Sequence, residues 1–210
     1  MLVNMKELLA VAERKGCAIP AFNVYNGETA LAIFKAAEEA DACIIVQMYS
    51  RLFMSEEAEF IAPSIVDAAH RSKAKICFHL DHGSCDAAVA RAIRWGCTSV
   101  MRDASALPFE ENATVLAIDR IRELHAAIPA ALVLHGGSGV PDDQIRAAVA
   151  AGIRKVNFGT DVCLSFLDAV RKVDPSIIGV DIYMKEPVQA VKRFALEKIA
   201  LLGAEGSNHA

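Results

Sequence analysis

The feature that most restricts this chain is a regular alternation: apolar runs of strand length are separated by segments with apolar residues at three- and four-residue steps. Consecutive βα units around a parallel sheet produce this pattern, and such a sheet is buried on both faces. The strand-length runs are Ala18–Val24, Cys43–Ser50, Lys75–His82, Thr98–Asp103, Ala130–His135 and Arg154–Phe158. Between them, Gly27–Ala40, Glu56–Ser72, Cys85–Trp95, Pro108–Ala127, Pro141–Ala151 and Asp161–Lys172 carry the helical period. Ser55 before Glu56 and Glu57, Pro141 at a first turn, and Gly96 and Gly152 behind apolar segments supply start and stop signals. With a starting helix over Met5–Lys15 and a closing one over Pro187–Leu202, the pattern predicts six βα units in a single domain spanning residues 1–210.

Composition agrees with a doubly covered sheet and narrows the partners. Hydrophobic residues make up 54% of the chain, enough to fill a core and too many for a disordered segment. The 22 Lys and Arg are interspersed with 26 Asp and Glu, so no basic run offers a footprint for nucleic acid or an anionic membrane. No stretch approaches the roughly 20 apolar residues of a membrane span, and Met1–Glu7 lacks the order of a signal peptide. The expected location is cytoplasmic. Six scattered cysteines without a C-x-x-C pair indicate neither a disulfide framework nor a Cys-ligated zinc.

Polar residues gather where each strand run ends: Asn23, Ser50, Asp81 with His82, Asp103 with Ser105, His135 to Ser138, and Asn157 with Thr160. A (β/α) barrel builds its catalytic rim from those positions. Any one of them is explained by chains turning polar as they leave a sheet. Six in succession point to a site.

Three motifs carry chemistry. In His79-Leu-Asp-His-Gly83, alternation puts His79 and Asp81 on one face, while His82 falls where the chain leaves the sheet. A neutral imidazole there suits a zinc ion, and the adjacent carboxylate can carry a proton or orient the ligand. Leu132-Val-Leu-His-Gly-Gly-Ser-Gly139 ends another strand in a histidine and turns through glycines into a helix, whose free N–H groups suit a phosphate. Lys155-Val-Asn-Phe-Gly-Thr-Asp161 repeats the arrangement, with donors from Asn157 and Thr160. Barrels often grip phosphate with the loops after their last two strands, which these are. Lys155 is expected to have a surface or ion-pair role.

Taken with Ile19-Pro-Ala-Phe-Asn-Val24, Ser99-Val-Met-Arg-Asp-Ala-Ser105 and Leu107-Pro-Phe-Glu-Glu-Asn112, these motifs resemble, in order, the class II, zinc-dependent fructose-bisphosphate and tagatose-bisphosphate aldolases. The resemblance implies a TIM barrel that reversibly cleaves a ketose 1,6-bisphosphate into dihydroxyacetone phosphate and an aldehyde, with Zn2+ as cofactor. It implies Asp81 as acid/base, His82 and His135 as zinc ligands, and Gly136, Gly137, Ser138, Asn157 and Thr160 as the phosphate-end contacts. His79, Asp103, Ser105, Asn23 and Ser50 would stand behind them. The resemblance also implies a homo-oligomer.

Length qualifies this. The fold takes about 250 residues, and the family's pattern has two further βα units after Asn112, holding its middle zinc-ligand histidine and its proton-abstracting acidic residues. Here the chain runs from Asn112 into Ile118 without them, so an internal deletion is expected near residues 112–118. His79 or Asp103, and more weakly His125, are the expected stand-ins for the third ligand. Six strands do not readily close a barrel built for eight. The expectation is an incomplete barrel of α/β type, open or tightened, one completed by a partner chain, or a chain that is not the whole natural product. The strands ending at Asp103 and starting at Ala130 become edges or pair with each other. A non-catalytic sugar-phosphate-binding or stabilising subunit is the alternative function. The tail Glu197–Ala210 is expected to be frayed, with His209 solvated.

Overall fold

The computed structural model describes residues 1–103, 118–127 and 130–210. Its strands are β1 (Ile19–Asn23), β2 (Ile44–Tyr49), β3 (Ile76–Gly83), β4 (Ser99–Arg102), β5 (Leu132–Leu134) and β6 (Ile153–Phe158). They form one sheet in the order β4-β3-β2-β1-β6-β5, with every pairing parallel. The helices are α1 (Met5–Lys15), α2 (Gly27–Glu39), α3 (Ser50–Phe53), α4 (Ala58–Arg71), α5 (Asp86–Arg94), α6 (Ile118–Ala127), α7 (Asp142–Ala150), α8 (Thr160–Val170), α9 (Val180–Tyr183) and α10 (Lys185–Leu201). The sheet curls into a half-barrel with helices on its convex side, the incomplete (β/α) barrel that the pattern predicts. The two short helices α3 and α9 carry too few residues to show a period, and the sequence reading passes over them.

Alternation along the strands divides the core. Phe22, Val46, Phe78, Val156 and Phe158 point outward into a cluster shared with the helices. On this side Phe194 of α10 meets Phe158 at 6.0 Å and Phe22 at 6.3 Å, seating α10 against β1 and β6. Ile19, Ala21, Cys43, Ile45 and Cys77 point inward, where α1 closes the bottom of the half-barrel with Leu8, Val11 and Ala12. Local signals hold α1 in place: the Asn4 side chain accepts from the Glu7 N–H, and Gly16 ends the helix at φ 66°. Above this apolar floor the inward residues become polar: Asn23, Gln47, His79, Asp81, Lys155 and Asn157 are all buried. Register brings them level, with Asn23 opposite Gln47, Gln47 opposite His79, and Ala21 opposite Asn157.

Strands β4 and β5 do not pair with each other among the described residues, so both are edges, one of the two outcomes expected for them. Val100 and Val133 are correspondingly exposed. Ser105, the stretch around Asn112 and the first part of the Pro108–Ala127 helix lie outside the described residues. His125 on α6 stands far from the rim: its Nε2 is 3.6 Å from Glu13 on α1 and its ring packs over Gly152.

The tail corrects the expectation of fraying. Ser207 and Asn208 are buried in a last turn over Ser207–His209. Ser207 Oγ accepts from the Cys43 N–H at 2.8 Å, and Asn208 Oδ1 accepts from the Lys75 N–H at 2.8 Å. Asn208 Nδ2 donates to Asp41 and to the Lys73 carbonyl, and His209 sits 3.0 Å from Asp41. Small polar residues, which read as a solvated end, here satisfy backbone groups where β2 and β3 begin. Asn208→Ala should therefore lower the unfolding free energy by about 1–3 kcal/mol, because a buried N–H loses its acceptor. Denaturant unfolding measures this, and an unchanged midpoint would mean that the tail does not dock.

Candidate active site

The polar layer opens upward into a cavity of about 420 Å³ at the C-terminal ends of the strands. Asn23 and Tyr25 enter it from β1 and the turn after it, Tyr49 and Arg51 from the β2 end, and Asp81 and His82 from β3. The far wall is His135, Gly136 and Ser138 after β5, with Asn157, Gly159 and Thr160 at the β6 end.

His82 reaches the cavity through an unusual backbone. Its φ is 52°, in the left-handed region that non-glycine residues rarely adopt, and the β3–β4 register shifts between Leu80 and Gly83. In a regular strand Asp81 and His82 would face opposite sides; the left-handed turn aims both at the same space. Strain of this kind costs about 1–3 kcal/mol and concentrates at functional sites. Asp103 Oδ2 lies 2.6 Å from His82 Nδ1 and accepts its proton, which leaves the lone pair of His82 Nε2 for the cavity.

Asp81, His82 and His135 bring one ligand atom each to within 4.8 Å of one another, and the two imidazole rings meet edge to face at 4.8 Å. Two imidazoles and a carboxylate suit zinc and other divalent transition metals. The expected stand-ins for the third ligand are corrected here. His79 lies lower in the half-barrel, its Nδ1 2.9 Å from Ser99 Oγ, and burial pushes its pKa down to about 3, with the Lys155 charge adding to the effect. Asp103 is taken up behind His82, and His125 is remote. Asp81, read from sequence as the proton carrier, is the third donor of the cluster. Its carboxylate accepts from Asn23 Nδ2 at 3.2 Å and from Asn157 Nδ2 at 3.4 Å. Burial, followed by the Lys155 charge, also holds His135 below the ordinary imidazole range, so its ring is neutral at neutral pH. A neutral ring keeps the lone pair a metal requires.

The expected phosphate residues divide into two groups. Gly136 has φ 80°, which glycine tolerates, and it lines the cavity with Ser138, Asn157 and Thr160. Ser138 Oγ accepts from the Asp161 N–H at 3.3 Å, joining this loop to the first turn of α8, whose N-cap residue, Gly159, has no side chain to cap it. Gly137 does not line the cavity. A Cβ there would come within 2.6 Å of Val156 and 2.9 Å of the Asn157 carbonyl oxygen, so its glycine is required by close packing on β6. Ser50 also lies outside the cavity wall, pairing with Ser84 Oγ at 2.9 Å.

Lys155 is neither at the surface nor in an ion pair among the described residues: it is 3% exposed, donates to Asn157 Oδ1 at 2.6 Å, and burial pushes its pKa down to about 8. Its inward position is decided by pairing opposite Ile19, an inward residue of β1. Tyr25, Tyr49, Arg51 and Gly159 also line the cavity without having been singled out from sequence. Tyr49 and Arg51 flank Ser50 at a strand end, the one signal that could have found them.

A family model described as fructose-bisphosphate aldolase class-II matches residues 3–117 and again 113–207. The chain belongs to this family. It is similar to the fructose-bisphosphate aldolase of Mycoplasma genitalium, at 28% identity over 285 aligned positions that cover 97% of this chain and 99% of the relative. That aligned length exceeds the 210 residues here, so the relative carries positions that have no counterpart in this chain. The crystal structure of the YdjI aldolase from Escherichia coli K12 superimposes with TM-score 0.91 at 27% identity, covering 99% of this chain and 100% of that one. A putative fructose-1,6-biphosphate aldolase from Coccidioides immitis shares the fold, with TM-score 0.87 at 20% identity over 97% and 96% of the two chains.

Class II aldolases are generally metal-dependent, and the donors present fit a divalent ion. If His82 is one of the ligands, Asp103→Asn should weaken the binding of an added divalent ion such as zinc by about 10–100-fold, the usual effect of losing the carboxylate that orients a ligand histidine. Competition against a chromogenic chelator reads the affinity. An unchanged value would show that His82 is oriented by other means.

Proposed function

We propose that this chain is a zinc-dependent aldolase that reversibly cleaves a ketose 1,6-bisphosphate, of the fructose or tagatose configuration, to dihydroxyacetone phosphate and an aldehyde. The observation that carries the reading is one cavity in which Asp81, His82 and His135 converge opposite the Gly136, Ser138 and Thr160 wall. When bound, zinc supplies Lewis-acid stabilisation of the oxygen charge that develops when a proton beside a ketone is removed.

The chain's own residues supply the rest. The loop after β5 and the first turn of α8 offer N–H and hydroxyl donors to the phosphate end. Asn157 presents its NH2 between Asp81 and His135, where the ketone end would lie. Asp81 has two tasks, completing the donor set and carrying the proton of the aldehyde-derived hydroxyl; Asn23 and Asn157 hold its carboxylate in place for both.

The chain is read as joining the two parts of the family pattern near residues 112–118, which is supported by the two family matches meeting over 113–117. One observation favours a second reading, a non-catalytic sugar-phosphate-binding subunit: among the described residues lining the cavity, Asp81 is the one carboxylate. It would leave the first proton abstraction without a separate base. Association with a second copy is proposed on family grounds alone.

Cleavage of fructose or tagatose 1,6-bisphosphate, followed as released dihydroxyacetone phosphate before and after chelation, separates the readings. The aldolase reading expects chelator-sensitive turnover that Asp81→Asn lowers by about 10²–10⁴-fold, the usual worth of a positioned proton carrier. Calorimetric binding of dihydroxyacetone phosphate without turnover would establish the second reading, and absence of both would reject the two together.

A further inference from the structure

Beneath the metal-donor cluster lies a titratable group that the mechanism above does not use. Lys155 Nζ is buried and donates to Asn157 Oδ1 at 2.6 Å. An ammonium group has donors only, so the Asn157 atom facing it must be the carbonyl oxygen. On the other side Asn157 Nδ2 meets Asp81 Oδ1 at 3.4 Å and His135 Nε2 at 3.0 Å, and a carboxylate has acceptors only. The amide is therefore fixed at both ends by groups of opposite character, which leaves one orientation.

Asn23, on the other oxygen of Asp81, lacks this charged anchor. Its Oδ1 accepts from Gln47 Nε2 at 2.7 Å, and Gln47 Oε1 has no partner although it is fully buried. A neutral amide can turn over and offer either atom; a lysine cannot. Of the two amides holding Asp81, the Asn157 side is the one set by charge.

We propose that Lys155 is a positioning residue: by holding the Asn157 carbonyl downward, it keeps the Asn157 NH2 raised toward the cavity, where the proton that faces His135 Nε2 in the ligand-free chain would pass to a ketone or hydroxyl oxygen of the bound sugar phosphate. This deepens the aldolase reading and rests on it for the identity of the ligand. The cavity of about 320 Å³ between the β4 and β5 edges, lined by Met5, His79, Ser99 and Val133, puts Lys155 at its inner wall. No carboxylate lines that wall among the described residues, so Asn157 is the described side chain that takes the Lys155 proton donor.

The test is a double-mutant cycle on the full chain with zinc added, read as dihydroxyacetone phosphate affinity by calorimetry. Lys155→Met should weaken binding by about tenfold, the worth of a charge-assisted hydrogen bond, with zinc affinity unchanged. Asn157→Ala should weaken it at least as much, and the double variant should bind no worse than Asn157→Ala alone. Losses that multiply would overturn the proposal, because residues acting through one another do not add. Should Lys155→Met fail to fold, Asn157→Asp decides: it keeps a partner for Lys155 and removes the NH2, so the fold should persist while affinity falls. Binding equal to the original chain would overturn the proposal. If the original chain binds no dihydroxyacetone phosphate, the aldolase reading fails on its own account. The orientation is then read from the Asn157 side-chain amide by nitrogen-15 NMR on ligand-free protein. Its proton exchange should quicken in Lys155→Met, and an unchanged signal overturns the proposal.

Discussion

The concave face of a curled parallel sheet has to be filled, and here two unlike materials fill it. Below, α1 presses Leu8, Val11 and Ala12 against Ile19, Ile45 and Cys77. Above, side chains that would be costly to bury singly are acceptable because they bond to one another: Lys155 to Asn157, Asn157 and Asn23 to Asp81, Gln47 to Asn23. The boundary between the layers follows from strand alternation and register. Moving any strand by one residue would turn its polar members into the helix-facing core. Site and scaffold are in this sense the same set of hydrogen bonds.

This division explains what could be read from the sequence. Period and strand-end polarity located six strands and the rim residues Asp81, His82, His135, Ser138, Asn157 and Thr160, because those signals are local. Lys155 was misplaced because a lysine in a strand reads as exposed unless its pairing is known, and that pairing opposite Ile19 joins segments more than 130 residues apart. The docked tail escaped for the same reason: Ser207 and Asn208 carry no pattern of their own, only backbone groups elsewhere that need them. Gly137 was expected to touch phosphate and instead makes room for β6, since a glycine-rich turn looks alike for either purpose.

Membership of the class II aldolases fixes the family, while the cavity sets the chemical question for this chain. The candidate donor set among the described residues is two histidines and Asp81, so the proposed reading asks one carboxylate to serve both ligation and proton transfer. A second carboxylate in the cavity would let those tasks be divided. The geometry around Asp81, held on both oxygens by amides, favours a fixed carboxylate over a swinging one.

His82 ends a strand next to one edge of the sheet, and His135 follows β5, the other edge. Their rings nonetheless meet at 4.8 Å, so the two sides of the half-barrel come into contact where its candidate donors are. Any ion gripped between them would span the gap between the two sheet edges, which do not pair among the described residues, and its binding free energy would be added to that of folding. The same contact that would prepare a metal for chemistry would also work as a clasp on the fold. On the proposed metal dependence, chelation would then loosen the barrel itself, and thermal stability would follow the supply of metal.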